Sequence, residues 1–246
     1  MDRLLLVGIG TGNPDHITLA GQRALREADV ILVPEKGSGK EDLSALRHEI
    51  IARAESTARL VPFTYPVRDE SVPYEERVEL WHDEIARRWE AALAQAGGAQ
   101  STVALLVWGD PSLYDSTMRI AERLMPKPPI TVVPGITSLQ ALTAAHAIPF
   151  NTLAGSVHVT TGRKLRSQGW PETAESVVVM LDGSCAFRTL DPDRFEIWWG
   201  AYLGMENEIT AAGPLHAVSE KIVALRAEAR AAHGWIMDTY LLRRLD

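Results

Sequence analysis

The stretch Thr102–Ile120, TVALLVWGDPSLYDSTMRI, decides the fold. It is apolar without interruption from Val103 to Trp108, stops at Gly109-Asp110-Pro111, and then resumes with helical spacing. A continuous short apolar run is typical of a strand buried on both faces, as in a parallel sheet. Gly and Pro directly after the run predict a sharp turn at the carboxyl end of that strand.

The residues before this stretch alternate in the same way. Residues 3–9 and 30–34 are short apolar runs bounded by Gly or Pro and are predicted strands, with a weaker strand at 59–63. Between and after them, apolar residues recur every three or four positions, which predicts helices near 18–28, 43–54 and 78–96. Such alternation predicts a parallel sheet with helices on both faces.

The residues after this stretch have a different pattern. A strand and a helix are predicted at 130–148, and further strands at 156–161, 176–181, 195–203 and 208–213, some of them joined by short turns. Short turns favour antiparallel or mixed pairing. We therefore predict two α/β domains, residues 1–116 with a mostly parallel sheet and residues 117–246 with a mixed sheet, and a ligand cleft between them.

Composition excludes several classes of protein. The net charge of -7 argues against nonspecific nucleic-acid binding, which needs a basic face. The single cysteine, Cys185, cannot form an internal disulfide and fits a reducing compartment. The chain starts without the features of a signal peptide and holds no apolar run of about 20 residues, so we expect a soluble, cytoplasmic protein. Its histidines lack zinc-site spacing, and no metal site is predicted.

Turns at predicted strand ends are the best indication of a ligand. The sequence VGIGTGNPD approaches a dinucleotide fingerprint, but its third glycine falls at Asn13, and Pro14 delays the helix that would hold a pyrophosphate. A nicotinamide enzyme is therefore disfavoured. Glycines nevertheless follow several predicted strands, at 8–12, 109, 135, 183 and 204. Ligands of open α/β sheets lie outside such carboxyl ends, where glycine lets the backbone approach closely.

Three segments of the chain resemble the tetrapyrrole (corrin/porphyrin) methyltransferase family: LLVGIGTGNPDHITLAGQRALREADVIL, GDPSLYDS and VVPGITSLQALTAAHAIPF. The resemblance implies a homodimeric two-domain α/β enzyme of the class III methyltransferase type, with S-adenosylmethionine folded in the interdomain cleft. Thr11 stands where the family's G-x-G-P-G-D loop has proline, and Asn13 stands in the aspartate place. Carried over by motif, the cofactor residues would be Thr11, Trp108, Gly109, Asp110, Leu113, Thr137, Ser138, Leu181, Tyr202 and Leu203.

Within that family, four segments are most similar to the members that act on precorrin-5 in cobalamin biosynthesis: WGDPSLYDST, HVTTGRKL, VVVMLDG and WWGAYLGMENEI. The implied reaction removes an acetyl group as acetate and methylates ring carbon C1, giving precorrin-6A. Hydrolysis needs a base for water and a donor for the oxyanion. Candidates for these roles are Tyr65, Tyr114 and Asp115. Because the substrate carries many carboxylates, which pair well with guanidinium groups, candidate substrate residues are Arg68, Arg119, Arg163 and Arg166.

Two alternatives stay open beside this interpretation. The chain could be another precorrin C-methyltransferase that does not deacetylate, or a non-catalytic tetrapyrrole-binding subunit on the same fold. The first would yield a product that keeps its acetyl group. The second would bind the ligand and form no S-adenosylhomocysteine.

Overall fold

A computed structural model describes residues 1–34, 41–69, 71–97 and 100–245 of the chain. These residues form two compact units, Met1–Thr137 and Ser138–Asp246. None of the helices in the described ranges is long and apolar enough to cross a membrane.

The first unit contains a five-stranded parallel sheet in the order β3-β2-β4-β1-β5. This confirms the parallel sheet predicted for the N-terminal part. Its elements are β1 (Arg3–Gly8), α1 (Leu19–Glu27), β2 (Val30–Pro34), α2 (Glu41–Arg53), β3 (Arg59–Phe63), α3 (Tyr74–Gln95), β4 (Thr102–Val107), α4 (Thr117–Ala121) and β5 (Ile130–Val133).

Both faces of this sheet are covered, as the continuous apolar runs predict. Successive side chains of a strand point to opposite faces. Leu4 and Leu6 of β1 accordingly pack in one core with residues of α3 and α4, and Leu5 and Val7 pack in another with residues of α1 and α2. Helix α1 begins at the Thr18 cap, whose Oγ1 accepts a hydrogen bond from the Gly21 N–H at 3.0 Å.

The unit boundary lies later in the chain than the predicted one after residue 116. Strand β5 pairs in parallel with β1, from Leu4 opposite Ile130 to Val7 opposite Val133, and so completes the first sheet. The prediction assigned residues 130–133 to the second domain because nothing in a four-residue apolar run indicates which strand it will pair with. The observed division falls between Thr137 and Ser138.

The second unit contains a five-stranded sheet in the order β6-β7-β10-β8-β9. Only the β6–β7 pair is parallel, and the other pairs are antiparallel, which confirms the mixed sheet. Its elements are α5 (Ser138–Ala145), β6 (Val157–Thr161), α6 (Gly162–Gln168), β7 (Ser176–Met180), β8 (Phe195–Ala201), β9 (Ile209–Pro214), α7 (Leu215–His233) and β10 (Asp238–Arg244).

Candidate active site

The carboxyl ends of β1, β4 and β5 meet backbone to backbone through glycines. A Cβ atom on Gly135 would lie 2.2 Å from the carbonyl oxygen of Gly109 and 2.7 Å from the carbonyl carbon of Gly8. Gly109 also exchanges backbone hydrogen bonds with Gly10, donating at 2.8 Å and accepting at 3.3 Å. Side chains are excluded from these contacts, so the strand-end glycines hold three loops together at one edge of the sheet.

Asp110 fastens the same loops. Its Oδ2 accepts a hydrogen bond from the Gly135 N–H at 2.8 Å, and its Oδ1 accepts from the N–H of Ser112 at 2.8 Å and from the Ser112 hydroxyl. Burial of this carboxyl, only 8% exposed, would raise its pKa, but these donors outweigh burial and the net pKa is lowered. The carboxylate therefore serves the architecture of the loops.

Two features at this edge fit a bound ligand. Gly109 has a φ of +65°, in the left-handed region, and no atom lies within 4 Å of the position a Cβ would take. Thr11 is buried, and its Oγ1 has no hydrogen-bond partner among the described residues. A buried hydroxyl without a partner is costly, so it fits a ligand that supplies one. Trp108, partly buried, and Leu113, which closes a turn to the Asp110 carbonyl at 3.2 Å, belong to the same loop.

A second group of polar residues lies at the other half of this edge. Tyr65 follows β3, Asp115 follows β4, and Arg47 belongs to α2, the helix that follows β2 between them. Desolvation of its hydroxyl raises the pKa of Tyr65, the positive charge of Arg47 lowers it, and the negative charge of Asp115 raises it. Asp115 is fixed through its Oδ1, which accepts from the Thr117 N–H at 2.6 Å in the first turn of α4.

Of the three candidates for hydrolysis, Tyr65 and Asp115 interact electrostatically. Tyr114, the third candidate, is 44% exposed and has a φ of +50°. Desolvation raises the pKa of its hydroxyl as well. A non-glycine residue in this region is strained by about 1–3 kcal/mol, and such strain concentrates at ligand sites.

Trp81 of α3 contacts both Tyr65 and Arg68. Tyr65 stacks on its ring with centroids 5.9 Å apart, and the guanidinium carbon of Arg68 lies 4.2 Å from the ring centroid. Burial lowers the pKa of the neighbouring His82, and the positive charges of Arg123, Arg119 and Arg68 lower it further against the effect of Glu79. Arg68 and Arg119 therefore both lie close enough to His82 to lower its pKa.

These arginines differ in how they are held. Arg123 forms ion pairs with Glu79 and, at 2.7 Å, with Asp83. Arg119 donates to the Asp115 carbonyl at 3.0 Å, and Arg68 packs on Trp81. In the described ranges neither Arg68 nor Arg119 forms an ion pair with a carboxylate, so both retain charge for an anionic ligand.

The second unit places its predicted cofactor residues at the ends of two strands that both run antiparallel to β10. Leu181 follows β7 and Tyr202 follows β8, each with a φ of +52°. Leu181 is 65% exposed, whereas Tyr202 is buried and its hydroxyl donates to the Trp235 carbonyl at 2.5 Å. Leu203 is buried too, and Ser138 at the start of α5 has an Oγ without a partner among the described residues. The backbone of Tyr202 is also engaged, because its N–H donates to the Met237 carbonyl at 3.0 Å and its carbonyl accepts from the Met205 N–H at 2.9 Å.

Arg163 and Arg166 lie on α6 of the second unit, at 162–168. Arg166 donates to the Ser184 hydroxyl, and its guanidinium lies 3.8 Å from Asp182, which itself accepts from the Tyr240 hydroxyl at 2.6 Å. Arg166 is therefore already engaged by its own unit. The four predicted substrate arginines thus fall in two pairs, Arg68 with Arg119 on the first unit and Arg163 with Arg166 on the second.

Comparison with known proteins decides the family, because residues 3–219 match the model of Tetrapyrrole (Corrin/Porphyrin) Methylases. The chain belongs to that family. Among its tetrapyrrole methylase relatives, "Precorrin-6A synthase [deacetylating]" of Sinorhizobium sp is 47% identical over 99% of this chain and 96% of the relative. "Precorrin-2 C(20)-methyltransferase" of the same source is 30% identical over 60% of this chain and 59% of the relative.

Solved tetrapyrrole methylase structures share the fold. A putative cobalamin synthesis related protein (CobF) from Corynebacterium diphtheriae is 38% identical, with a TM-score of 0.86 over 100% of both chains. A uroporphyrin-III C-methyl transferase from Thermus thermophilus, complexed with S-adenyl homocysteine, superposes with a TM-score of 0.60 over 98% of this chain and 92% of the other, at 20% identity. The second likeness shows the fold only.

The sequence did not single out Arg47 of α2 or His82 of α3, because a polar residue inside a helix is usually part of a solvated face. In the described ranges, no group of three or more His, Cys, Asp or Glu residues could hold a metal ion.

Proposed function

We propose that this tetrapyrrole methylase converts precorrin-5 into precorrin-6A in cobalamin biosynthesis, using S-adenosylmethionine to methylate C1 and water to remove the acetyl group as acetate. The observation that carries the proposal is the 47% identity, over nearly the whole of both chains, to the Sinorhizobium protein named precorrin-6A synthase (deacetylating). The loop GDPSLYDS, whose Asp110 accepts from the Gly135 N–H at 2.8 Å, is proposed to be part of the site in the first unit.

The cofactor is proposed to lie against the glycine-rich half of the first sheet's carboxyl edge. The open space beside Gly109 and the unpartnered hydroxyl of Thr11 support this placement. Trp108, Asp110, Leu113 and Thr137 are proposed neighbours in the first unit, and Ser138, Leu181, Tyr202 and Leu203 are proposed in the second. When bound, S-adenosylmethionine supplies a methyl group from its sulfonium. The chain's contribution to methyl transfer is alignment of donor and acceptor, worth up to several kcal/mol.

The macrocycle is proposed to lie at the other half of this edge. Arg68 and Arg119 are proposed to bind its carboxylates because, in the described ranges, no carboxylate already pairs with them. Arg163 and Arg166 are also proposed to bind the substrate, and Arg166 would then interact with a substrate carboxylate and with Asp182 at the same time. Asp115, Tyr114 or Tyr65 is proposed to order the hydrolytic water.

A homodimer in the cytoplasm, which the family resemblance implies, is proposed as the working form, and sedimentation velocity tests its dimeric state.

The decisive experiment is anaerobic incubation of the purified protein with a precorrin-5-generating system and S-adenosylmethionine. We expect acetate and S-adenosylhomocysteine in equal amounts, and a product that has gained a methyl group and lost an acetyl group. Methyl transfer without acetate would instead assign a precorrin methyltransferase that does not deacetylate. Binding of the macrocycle without either product would assign a non-catalytic subunit.

A matched pair of glycine variants tests the cofactor half of the site. Gly109→Leu places a side chain in the open space beside the loop, whereas Gly97→Leu introduces nearly the same backbone strain, at a φ of +66°, into open space after α3. We expect only Gly109→Leu to abolish S-adenosylhomocysteine binding in a calorimetric titration. Equal affinities for both variants would show that the loop is only a turn.

A further inference from the structure

Leu181, directly after β7, has an unusual backbone conformation for its residue type. Its φ of +52° lies in the left-handed region, where a non-glycine residue is strained. Its side chain is mostly exposed, so burial in a core does not explain the strain. None of the hydrogen bonds within the described ranges involves its N–H or its carbonyl. Unpaired main-chain groups at the carboxyl end of a strand suit a bound ligand.

The next residue, Asp182, is held firmly by its buried carboxylate. Oδ2 accepts hydrogen bonds from the Tyr240 hydroxyl at 2.6 Å and from the Ala186 N–H at 2.5 Å, and Oδ1 accepts from the Ser184 N–H at 3.0 Å. Desolvation and the charge of Asp182 raise the pKa of Tyr240, so the phenol remains a donor. A Cβ on Gly162 would lie 2.3 Å from the carboxyl carbon, so the first residue of α6 packs directly against this carboxylate.

The carbonyl of Asp182 is held by a separate ion pair. Arg226 of α7 donates through Nη2 to this carbonyl at 2.5 Å and through Nη1 to the Gly183 carbonyl at 3.4 Å. Asp238, at the start of β10, accepts from the Nε of Arg226 at 2.8 Å and from the Trp199 indole N–H at 2.9 Å. Hydrogen bonds of charged groups are the stronger ones, so both the side chain and the main chain of Asp182 are fixed.

We infer that Asp182 is a positioning residue for S-adenosylmethionine, because it holds the Leu181 main chain in the conformation that the cofactor contacts. The inference rests on the proposed function, which places Leu181 beside the cofactor. The carboxylate of Asp182 is used by the chain's own donors, so it acts through Leu181 and is not a catalytic residue. A strained conformation persists only where the surrounding structure over-determines it, and the two anchors of Asp182 do so here.

The test is a calorimetric titration of Asp182→Asn and Tyr240→Phe with S-adenosylhomocysteine. Asn has one acceptor oxygen instead of two, so at least one of the three donors loses its partner. We expect about tenfold weaker binding for Asp182→Asn and about threefold for Tyr240→Phe, which removes a single donor and keeps the ring. In turnover, the same losses should appear in KM for S-adenosylmethionine rather than in kcat.

A double-mutant cycle with Leu181→Gly separates positioning from a general structural role. Glycine adopts the left-handed conformation without strain, so the support of Asp182 matters less in that background. We expect Asp182→Asn to weaken binding about threefold or less in Leu181→Gly, against about tenfold with Leu181 present. Equal losses in the two backgrounds would overturn the inference. Should Asp182→Asn not fold, Tyr240→Phe takes its place in the cycle.

Asp191→Asn is the matched control. Asp191 lies on the surface of the same unit, and its Oδ1 accepts from the Asp193 N–H at 3.2 Å in a similar local turn. We expect this variant to bind S-adenosylhomocysteine like the wild type. Wild-type affinity in both Asp182→Asn and Tyr240→Phe would overturn the inference and leave the proposed function standing. A wild-type protein that does not bind S-adenosylhomocysteine overturns both.

Discussion

Replacing Asp110 with Asn tests the carboxylate that fastens the loops of β4 and β5. Asn keeps the size of the side chain but offers one acceptor oxygen, so it cannot accept from both the Ser112 and Gly135 N–H groups. A hydrogen bond to a charged group contributes about 1.5–3 kcal/mol, and a buried donor left without a partner costs about 1–3 kcal/mol. We expect the first unit to lose about 3 kcal/mol, which lowers its thermal midpoint by roughly 10 °C.

The measurement is thermal and urea unfolding followed by circular dichroism at pH 7, with an S-adenosylhomocysteine titration beside it. Asp69→Asn is the control, because Asp69 accepts from the N–H and hydroxyl of Ser71 in the same local motif but on a fully exposed surface. We expect that variant to unfold like the wild type. An Asp110→Asn midpoint within about 2 °C of the wild type would refute the assigned role.

The pH dependence of this contribution has a definite sign. The pKa of Asp110 is lowered in the folded chain, so its stabilisation is complete above the unfolded value of about 3.9 and is lost as pH falls through the folded pKa. The difference between wild type and Asp110→Asn should therefore be constant at neutral pH and shrink in acid. A difference that grew on acidification would contradict the assignment.

Three further substitutions test the framework around the site. Gly135→Ala forces a Cβ to 2.2 Å from the Gly109 carbonyl, so we expect a loss of about 1–3 kcal/mol or more in urea unfolding and weaker S-adenosylhomocysteine binding. Arg226→Met leaves Asp238, its buried partner at 2.8 Å, without a counter-charge, and should cost about 3–5 kcal/mol. Thr18→Ala removes the α1 cap and should cost about 1 kcal/mol in the same assay.

Continuous apolar runs made most of the first sheet predictable. Strands β1, β2 and β4 are buried on both faces, and that burial requires the runs that the sequence displays. Strand β5 was misassigned because its membership depends on pairing with β1, more than a hundred residues earlier in the chain. Periodicity reports which face of an element is apolar, but it does not report which strand lies beside it.

The turn after β4 was predictable because glycine follows an apolar run, whereas contacts between side chains of different strands were not. The structure gives Gly109 a φ of +65° and open space where a Cβ would lie. The strained φ of Leu181 and of Tyr202 has no such marker, since both are ordinary residues of apolar segments.

The loop Gly109–Ser116 sets the distance between the proposed cofactor region and the proposed macrocycle region. At one end Asp110 accepts a hydrogen bond from the N–H of Gly135, which follows β5, and at the other end Asp115 accepts one from the N–H of Thr117 in α4. The eight residues of the loop therefore span a fixed distance. An insertion or deletion would shift both ends at once, whereas an exchange at Ser112, Leu113 or Tyr114 alters the surface between them. Redesign toward another ring position should therefore keep the length of this loop and vary only its middle.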